Sequence, residues 1–167
     1  MAEVKVTKDL ENKTVVIEYV TAGSVEQVWR YYAEKDLFEK WWGPEGWETT
    51  AKEFDFRVGG KIHYDMHCVD KNQGEWYDQH SWGVMNILEI EEGRSIRFED
   101  AFSDETGEVD SNMPTMQTSV ELVDVDGKAK LVTRTVGNSA EEVEQLLKMG
   151  MVEGWSSQLE KLDSLIG

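Results

Sequence analysis

The C-terminal stretch Ser139–Gly167, SAEEVEQLLKMGMVEGWSSQLEKLDSLIG, decides the fold, because it predicts one long helix with a broad apolar stripe. A capping box of Ser139 and Glu142 specifies where this helix begins. The stripe follows the three- and four-residue spacing of one helical face, and its members are Val143, Leu147, Met151, Trp155, Leu159, Leu162 and Ile166. A helix with such a stripe requires a large apolar surface to lie on.

Two glycines, Gly150 and Gly154, interrupt this predicted helix. Each lowers helix stability by about 1 kcal/mol relative to alanine, so each needs a packing or a functional reason. Beside Met151 and Trp155 they leave a shallow notch on the helix surface. The notch either lets a strand approach closely or forms part of the wall of a ligand cavity, and the spacing alone leaves both explanations open.

The rest of the chain predicts one strand, two short helices and six further strands. The periodicity places the helices near 25–32 and 36–41, and the strands near 14–19, 48–56, 60–68, 81–91, 94–102, 116–125 and 128–135. We therefore expect an α+β fold in which a seven-stranded antiparallel sheet curves around the long C-terminal helix. The connections Val69–His80 and Ser103–Thr115 exceed hairpin length, which is typical of rims or lids.

Composition restricts the class of protein. The 167 residues fit a single domain spanning 1–167. A formal net charge of -17 argues against partners that are nucleic acids or anionic membranes. The lone Cys68 has no internal disulfide partner, and the charged segment Met1–Thr14 does not resemble a secretion signal. No apolar run is long enough to cross a bilayer. We expect a cytoplasmic protein that is not inserted into a membrane.

Catalytic, metal and cofactor motifs are weak in this sequence. His63, Asp65 and His67 alternate on one strand, but the alternate residues Ile62, Tyr64, Met66 and Cys68 are the apolar set, which places the histidines on the solvent face. We therefore predict no metal site. Cys68 has no neighbouring cation to activate its thiol. Asp100 and Glu53 are acid–base candidates by strand parity only, so no catalytic residue and no cofactor is assigned.

Several segments, in order, resemble the C-terminal-domain type of the activator of heat-shock protein 90 ATPase, within the START-like (Bet v-like, SRPBCC) helix-grip superfamily. The matching pieces are Val28-Trp29, Trp41-Trp42-Gly43-Pro44, Phe54 to Gly60, Trp82-Gly83 leading into Glu89-Ile90, Phe98 to Phe102, and Gly154-Trp155. No single piece is decisive, whereas the ordered set covers nearly the whole chain from Thr14.

The resemblance implies a helix-grip fold that binds an apolar or aromatic small molecule between the sheet and the last helix. We expect the ligand to contact Trp42 at the entrance and inward side chains of the strands and the helix. The ligand-binding residues predicted in this way are Trp42, Tyr64, Met66, Trp82, Phe98, Met116, Thr118, Met151 and Trp155. A register error of one residue would turn a whole strand set outward.

Two other functions stay open. A cyclase, hydrolase or isomerase would need an ionisable group with a perturbed pKa in the cavity. A co-chaperone would instead expose an apolar patch for a protein partner. Eukaryotic co-chaperones of this family carry an additional N-terminal domain, and this chain has about a dozen residues before its first predicted strand, so a chaperone partner is weakly supported. A homodimer is compatible with the sequence but not required by it.

Overall fold

A computed structural model describes residues 4–166 and contains eight strands and four α-helices. The elements in chain order are β1 Lys5–Asp9, β2 Thr14–Val20, α1 Val25–Ala33, α2 Lys35–Trp41, β3 Trp47–Phe54, β4 Lys61–Cys68, β5 His80–Glu91, β6 Ser95–Ser103, β7 Thr115–Val125, β8 Lys128–Val136, α3 Ala140–Lys148 and α4 Met151–Ile166. The seven predicted strands and two short helices are found within two residues of their expected ends. The α+β helix-grip class is confirmed.

All strands belong to one antiparallel sheet with the order β1-β2-β8-β7-β6-β5-β4-β3. Irregularities between Ala51 and Glu53 in β3, and between Ile87 and Glu89 in β5, mark bulges. Bulges increase strand twist and bend, so they help the sheet to curve around the helices. Ser24 and Gln27 form the predicted capping box of α1.

The prediction of seven strands was short by one. β1 pairs with β2 through a tight connection in which Asp9 accepts hydrogen bonds from the backbone and side chain of Asn12. Because β1 lies at the sheet edge and is largely exposed, its sequence is charged and lacks the apolar signal of a central strand.

The prediction of one unbroken C-terminal helix was also wrong. The helix divides into α3 and α4 at Met149 and Gly150, where Gly150 has a φ of 89°. This left-handed conformation ends a right-handed helix, and glycine adopts it without steric penalty. The apolar stripe continues across the break, since Val143 in α3 and Leu159 and Leu162 in α4 are all buried.

The core lies between the concave face of the sheet and the helices. Leu159 and Leu162 pack in one cluster with inward residues of the sheet, including Ile17, Val120 and Leu131. The helices α1 and α2, with the residue that caps α2, contribute mostly aromatic side chains to the same cluster: Val28, Tyr32, Phe38, Trp41 and Trp42. Among the described residues, no helix has the length and apolarity to cross a bilayer.

Candidate functional site

A cavity of about 240 Å³ lies between the sheet and the C-terminal helices, next to the break between α3 and α4. Strands β4, β6 and β7 form one wall, and the two helices with the segment after α2 form the other. The lining residues are Trp42, Pro44, Tyr64, Met66, Asp100, Ala101, Phe102, Met116, Leu146, Met149, Gly150, Met151, Gly154, Trp155 and Gln158. The wall is therefore mainly aromatic and thioether surface with a small number of polar groups.

A buried tyrosine and aspartate form the polar centre of the cavity wall. The Tyr64 hydroxyl donates a 2.8 Å hydrogen bond to Asp100 Oδ1. The tyrosine ring lies over Gly83, which pairs with Tyr64 across the sheet, and a Cβ at Gly83 would collide with the phenol. Glycine on β5 thus lets a side chain of β4 reach a carboxyl group on β6.

Burial changes the proton affinity of both groups. It raises the pKa of Asp100 to about 7, and the hydrogen bond from Tyr64 opposes this shift. Burial and the nearby Asp100 carboxylate raise the pKa of Tyr64 well above its ordinary value. Near neutral pH the phenol is therefore protonated, while Asp100 is divided between its neutral and charged forms.

The Gln158 amide is a second polar feature of the cavity. Its side chain is 6% exposed, and its Oε1 accepts a 2.8 Å hydrogen bond from the Gly43 backbone N–H. This bond fixes the orientation of the amide, so the free end is the NH₂ donor. Gln158 Nε2 has no partner among the described residues. A buried donor without a partner is costly, which favours a ligand atom that accepts from it.

Two neighbouring tryptophans have different surroundings. Trp41 is fully buried and its indole N–H donates a 2.8 Å hydrogen bond to the Tyr31 carbonyl, which joins α2 to α1. Trp42 lines the cavity, and its ring meets Trp155 edge to face with centroids 5.4 Å apart. Trp41 therefore joins the two short helices, whereas Trp42 lines the cavity, and both indoles are buried.

Six of the nine predicted ligand-binding residues line the cavity: Trp42, Tyr64, Met66, Met116, Met151 and Trp155. Phe98 and Thr118 are buried as expected but are not among the lining residues. Trp82 lies on the outer face, because it pairs with Asp65 and not with Tyr64. On that face, the Lys52 ammonium lies over the Trp82 ring, 4.9 Å from the ring centroid. Contact of these residues with a ligand stays a prediction.

His63 and His67 lie on the outer face, as parity predicts, and His80 pairs with His67 on the same face. Each of the three has a protein partner. His67 Nε2 lies 2.8 Å from Asp78, and His80 Nδ1 lies 2.8 Å from Asp65. His63 is not solvent-exposed as expected, because the Ser103–Thr115 connection covers it and the Asp104 carbonyl lies 3.2 Å from its Nε2. Within residues 4–166, no three potential ligand side chains converge as a metal site requires.

No residue of the two long connections is among the described lining residues of the cavity. The 69–80 connection contains a short 3-10 segment, Lys71–Trp76. It contacts the chain after α2 through the Gln73 side chain, whose amide donates a 2.9 Å hydrogen bond to the Glu45 carbonyl. Trp76 and Tyr77 remain largely exposed on its surface.

Several lining residues escaped the sequence prediction. Asp100 was considered as an acid–base candidate only, whereas Glu53, the other candidate, forms an exposed ion pair with Lys61. Gln158 lies three residues after Trp155 and therefore on the apolar stripe of α4. A polar residue on such a stripe can indicate a functional site in the sequence. Gly150 and Gly154 both line the cavity, and a Cβ on Gly154 would meet no atom within 4 Å. The cavity explanation of the notch therefore fits better than close packing.

An antiparallel sheet curved around C-terminal helices, with an apolar cavity between them, defines a START-like helix-grip protein. The chain belongs to the family of Activator of Hsp90 ATPase homolog 1-like proteins, whose family model matches residues 22–167. The family predicted from the ordered motifs is thus confirmed. Among curated proteins, none matches the chain closely enough to count as a relative.

Solved structures support the assignment of the fold. A protein from Mycobacterium smegmatis is 29% identical with a TM-score of 0.87, covering 99% of this chain and 98% of its own. A protein from Arthrobacter aurescens is 26% identical with a TM-score of 0.87, covering 97% and 90%. The AHSA1 protein from Silicibacter pomeroyi, 19% identical with a TM-score of 0.67 over 90% and 95% of the two chains, shares the fold.

Proposed function

We propose that this protein binds a compact apolar or aromatic small molecule in the cavity between the sheet and the helices α3 and α4. The observation that carries the proposal is a largely apolar cavity whose wall contains a buried amide donor, Gln158 Nε2, without a protein partner. Ligand sites commonly combine an apolar lining with a few polar groups that fix orientation.

The size of the cavity limits the ligand. Pockets for drug-sized ligands occupy about 300–1,000 Å³, and this cavity, at about 240 Å³, is smaller. One or two fused rings fit such a volume, whereas a long acyl chain does not. Trp42 and Trp155 offer ring surfaces for stacking or edge contacts, and the thioethers of Met66 and Met116 adapt to an irregular outline.

A thermal-shift screen of one- and two-ring compounds tests the proposal, because a ligand that binds only the folded state raises the melting temperature. Gly154→Leu supplies the specific control, since it extends a side chain from the cavity wall. We expect Gly154→Leu to abolish the stabilisation by active compounds. Glu160→Leu, a change at an exposed position of α4, should preserve it. Equal responses in both variants would contradict binding in this cavity.

Acid–base catalysis is a second candidate function, and Asp100 is the observation that favours it. A carboxyl group with a pKa of about 7 can exchange a proton with a bound ligand near neutral pH. The enzyme hypothesis required such a group in the cavity. Mass spectrometry of ligands after incubation checks for turnover, which Asp100→Asn should abolish while binding persists. Equal product formation by both forms would exclude Asp100 as the proton carrier.

A further inference from the structure

The cavity contains a buried carboxyl group, Asp100, that has no cationic partner among the described lining residues. Asp100 is 8% exposed and receives a hydrogen bond from the neutral Tyr64 hydroxyl. Its register neighbours on the adjacent strands, Met85 and Met116, are apolar. Tyr64 and Asp100 are the ionisable residues of the lining, and no lysine, arginine or histidine occurs among the described lining residues. A buried carboxylate normally requires a cation or several donors.

The remaining wall is suited to a positive charge. Trp42, Tyr64 and Trp155 all line the cavity, and the ring centroid of Trp42 lies 6.1 Å from that of Tyr64 and 5.4 Å from that of Trp155. Aromatic ring faces are electron-rich and attract ammonium groups, most strongly where water is excluded. Aromatic faces and the carboxyl group therefore favour the same charge on a ligand.

The net charge of the protein also favours a positively charged ligand. With a formal net charge of -17, the chain attracts cations and repels anions as they approach. A fatty acid or another carboxylate ligand would meet this repulsion outside and Asp100 inside. Gln158 Nε2 is a donor and cannot pair with an ammonium group, which is also a donor. An acceptor atom elsewhere on the ligand, or a water molecule, satisfies it.

We propose that the ligand of this cavity is a compact aromatic amine that binds as its ammonium ion, with the charged nitrogen paired to Asp100 and enclosed by the rings of Trp42, Tyr64 and Trp155. This inference rests on the proposed function of the cavity and narrows its ligand to one chemical class. It assigns Asp100 the role of counter-ion, with the Tyr64 hydroxyl as the positioning group for its carboxylate.

Three indoles of similar size test the charge preference by isothermal titration calorimetry at pH 8: tryptamine is cationic, tryptophol is neutral and indole-3-acetate is anionic. We expect tryptamine to bind about tenfold or more tightly than tryptophol, as a charge-assisted hydrogen bond implies. Indole-3-acetate should bind weakest. Tighter or equal binding of tryptophol or indole-3-acetate would overturn the amine proposal and leave ligand binding itself intact. Binding of none of the three would overturn the amine proposal, whereas the thermal-shift screen decides separately whether the cavity binds a ligand.

A pair of variants separates the buried charge from the net charge. Asp100→Asn keeps an acceptor for the Tyr64 hydroxyl and should remove the preference for tryptamine with little effect on tryptophol. Glu99→Gln removes an equal charge from the adjacent residue, whose carboxylate accepts from Gln117 at 2.7 Å, and should leave the preference unchanged. An equal loss in both variants would show that surface charge alone selects amines and would overturn the pairing.

The pH dependence of tryptamine binding supplies an independent readout. An alkylammonium stays charged between pH 5 and 8, as lysine does, whereas Asp100 loses its proton through its pKa of about 7. Affinity should therefore increase with pH and level off near pH 8. Affinity that increases toward pH 5 would show that the neutral acid binds the ligand, which contradicts the proposal.

Discussion

The two halves of α4 lie against the same curved sheet but differ in what they bury. The second half places Leu159 and Leu162 in the core, and Asp163 accepts hydrogen bonds from the Tyr19 hydroxyl and the Ala22 backbone at 3.1 and 2.6 Å. The first half has Gly154 and partly exposed side chains around a cavity. Side-chain volume, and not the path of the backbone, therefore decides where this fold is solid and where it is open.

Truncation of the core half should have the largest effect on stability. Leu162 is fully buried, so Leu162→Ala removes apolar contacts and leaves a void, which costs about 2–5 kcal/mol. Met151→Ala in the open half should cost about 1 kcal/mol or less, because Met151 already borders a cavity. Urea unfolding of both variants measures the difference. Similar losses would mean that the open half is packed as tightly as the core.

Gly83→Ala should have the next largest effect. The new methyl group would collide with the Tyr64 ring, and overpacking of this kind costs about 1–3 kcal/mol. The ring must move, so the bond between Tyr64 and Asp100 breaks as well. Unfolding measurements give the loss of stability, and Tyr64→Phe serves as the control that removes this bond without steric conflict. Unchanged stability of Gly83→Ala would contradict the close approach of ring and strand.

Asp100→Asn should change how stability depends on pH. Between about pH 4, where an unfolded aspartate ionises, and its folded pKa of about 7, the folded protein retains a proton that the unfolded chain has released. Wild-type stability therefore falls as pH rises, by at most about 1.4 kcal/mol per pH unit from this group. The free energy of unfolding of the variant, relative to that of wild type, should therefore increase with pH by at most this slope. The difference should become constant above pH 7.

Denaturant titrations of both proteins from pH 5 to 8 measure this difference, and subtraction cancels the contribution of the other acidic residues. A difference that stays constant across this range would show that Asp100 ionises as an ordinary exposed carboxyl. Glu53→Gln, at an exposed ion-paired position, is the matched control that removes an equal charge outside the cavity.

The sequence predicts most of this fold because its signals are local. Alternation in β4 correctly separates Tyr64 from His63, and the spacing from Val143 to Leu162 identifies the face that contacts the core. The break at Gly150 was missed because a glycine within a helix and a glycine that ends one have the same flanking pattern. Edge strand β1 was missed because its charged, largely exposed sequence lacks the apolar alternation of the other strands.

The candidate site was less predictable because it depends on pairing between strands. Trp82 was placed inward since its own strand offers apolar residues of both parities, and only its pairing with Asp65 shows that it faces outward. The contact between Tyr64 and Asp100 crosses an intervening strand at Gly83. No periodicity within one segment contains that information, whereas Gln158 could have been identified as a polar residue on an apolar stripe.

The two glycines beside the cavity should respond to alanine with opposite signs, which gives the smallest effect but the sharpest distinction. Gly154 is helical, and its Cβ would meet no atom within 4 Å, so Gly154→Ala should stabilise the protein by about 1 kcal/mol. Gly150 has a φ of 89°, so Gly150→Ala should destabilise it by about 1–2 kcal/mol.

Thermal unfolding of the two variants measures these signs, since each changes one hydrogen to one methyl group. Stabilisation by both alanines would mean that α3 and α4 join into one helix in solution, as the apolar stripe by itself predicts. Destabilisation by both would mean that a side chain occupies the space beside Gly154. Opposite signs indicate that Gly150 specifies the break, whereas Gly154 contributes nothing to folding and leaves open volume in the wall of the cavity.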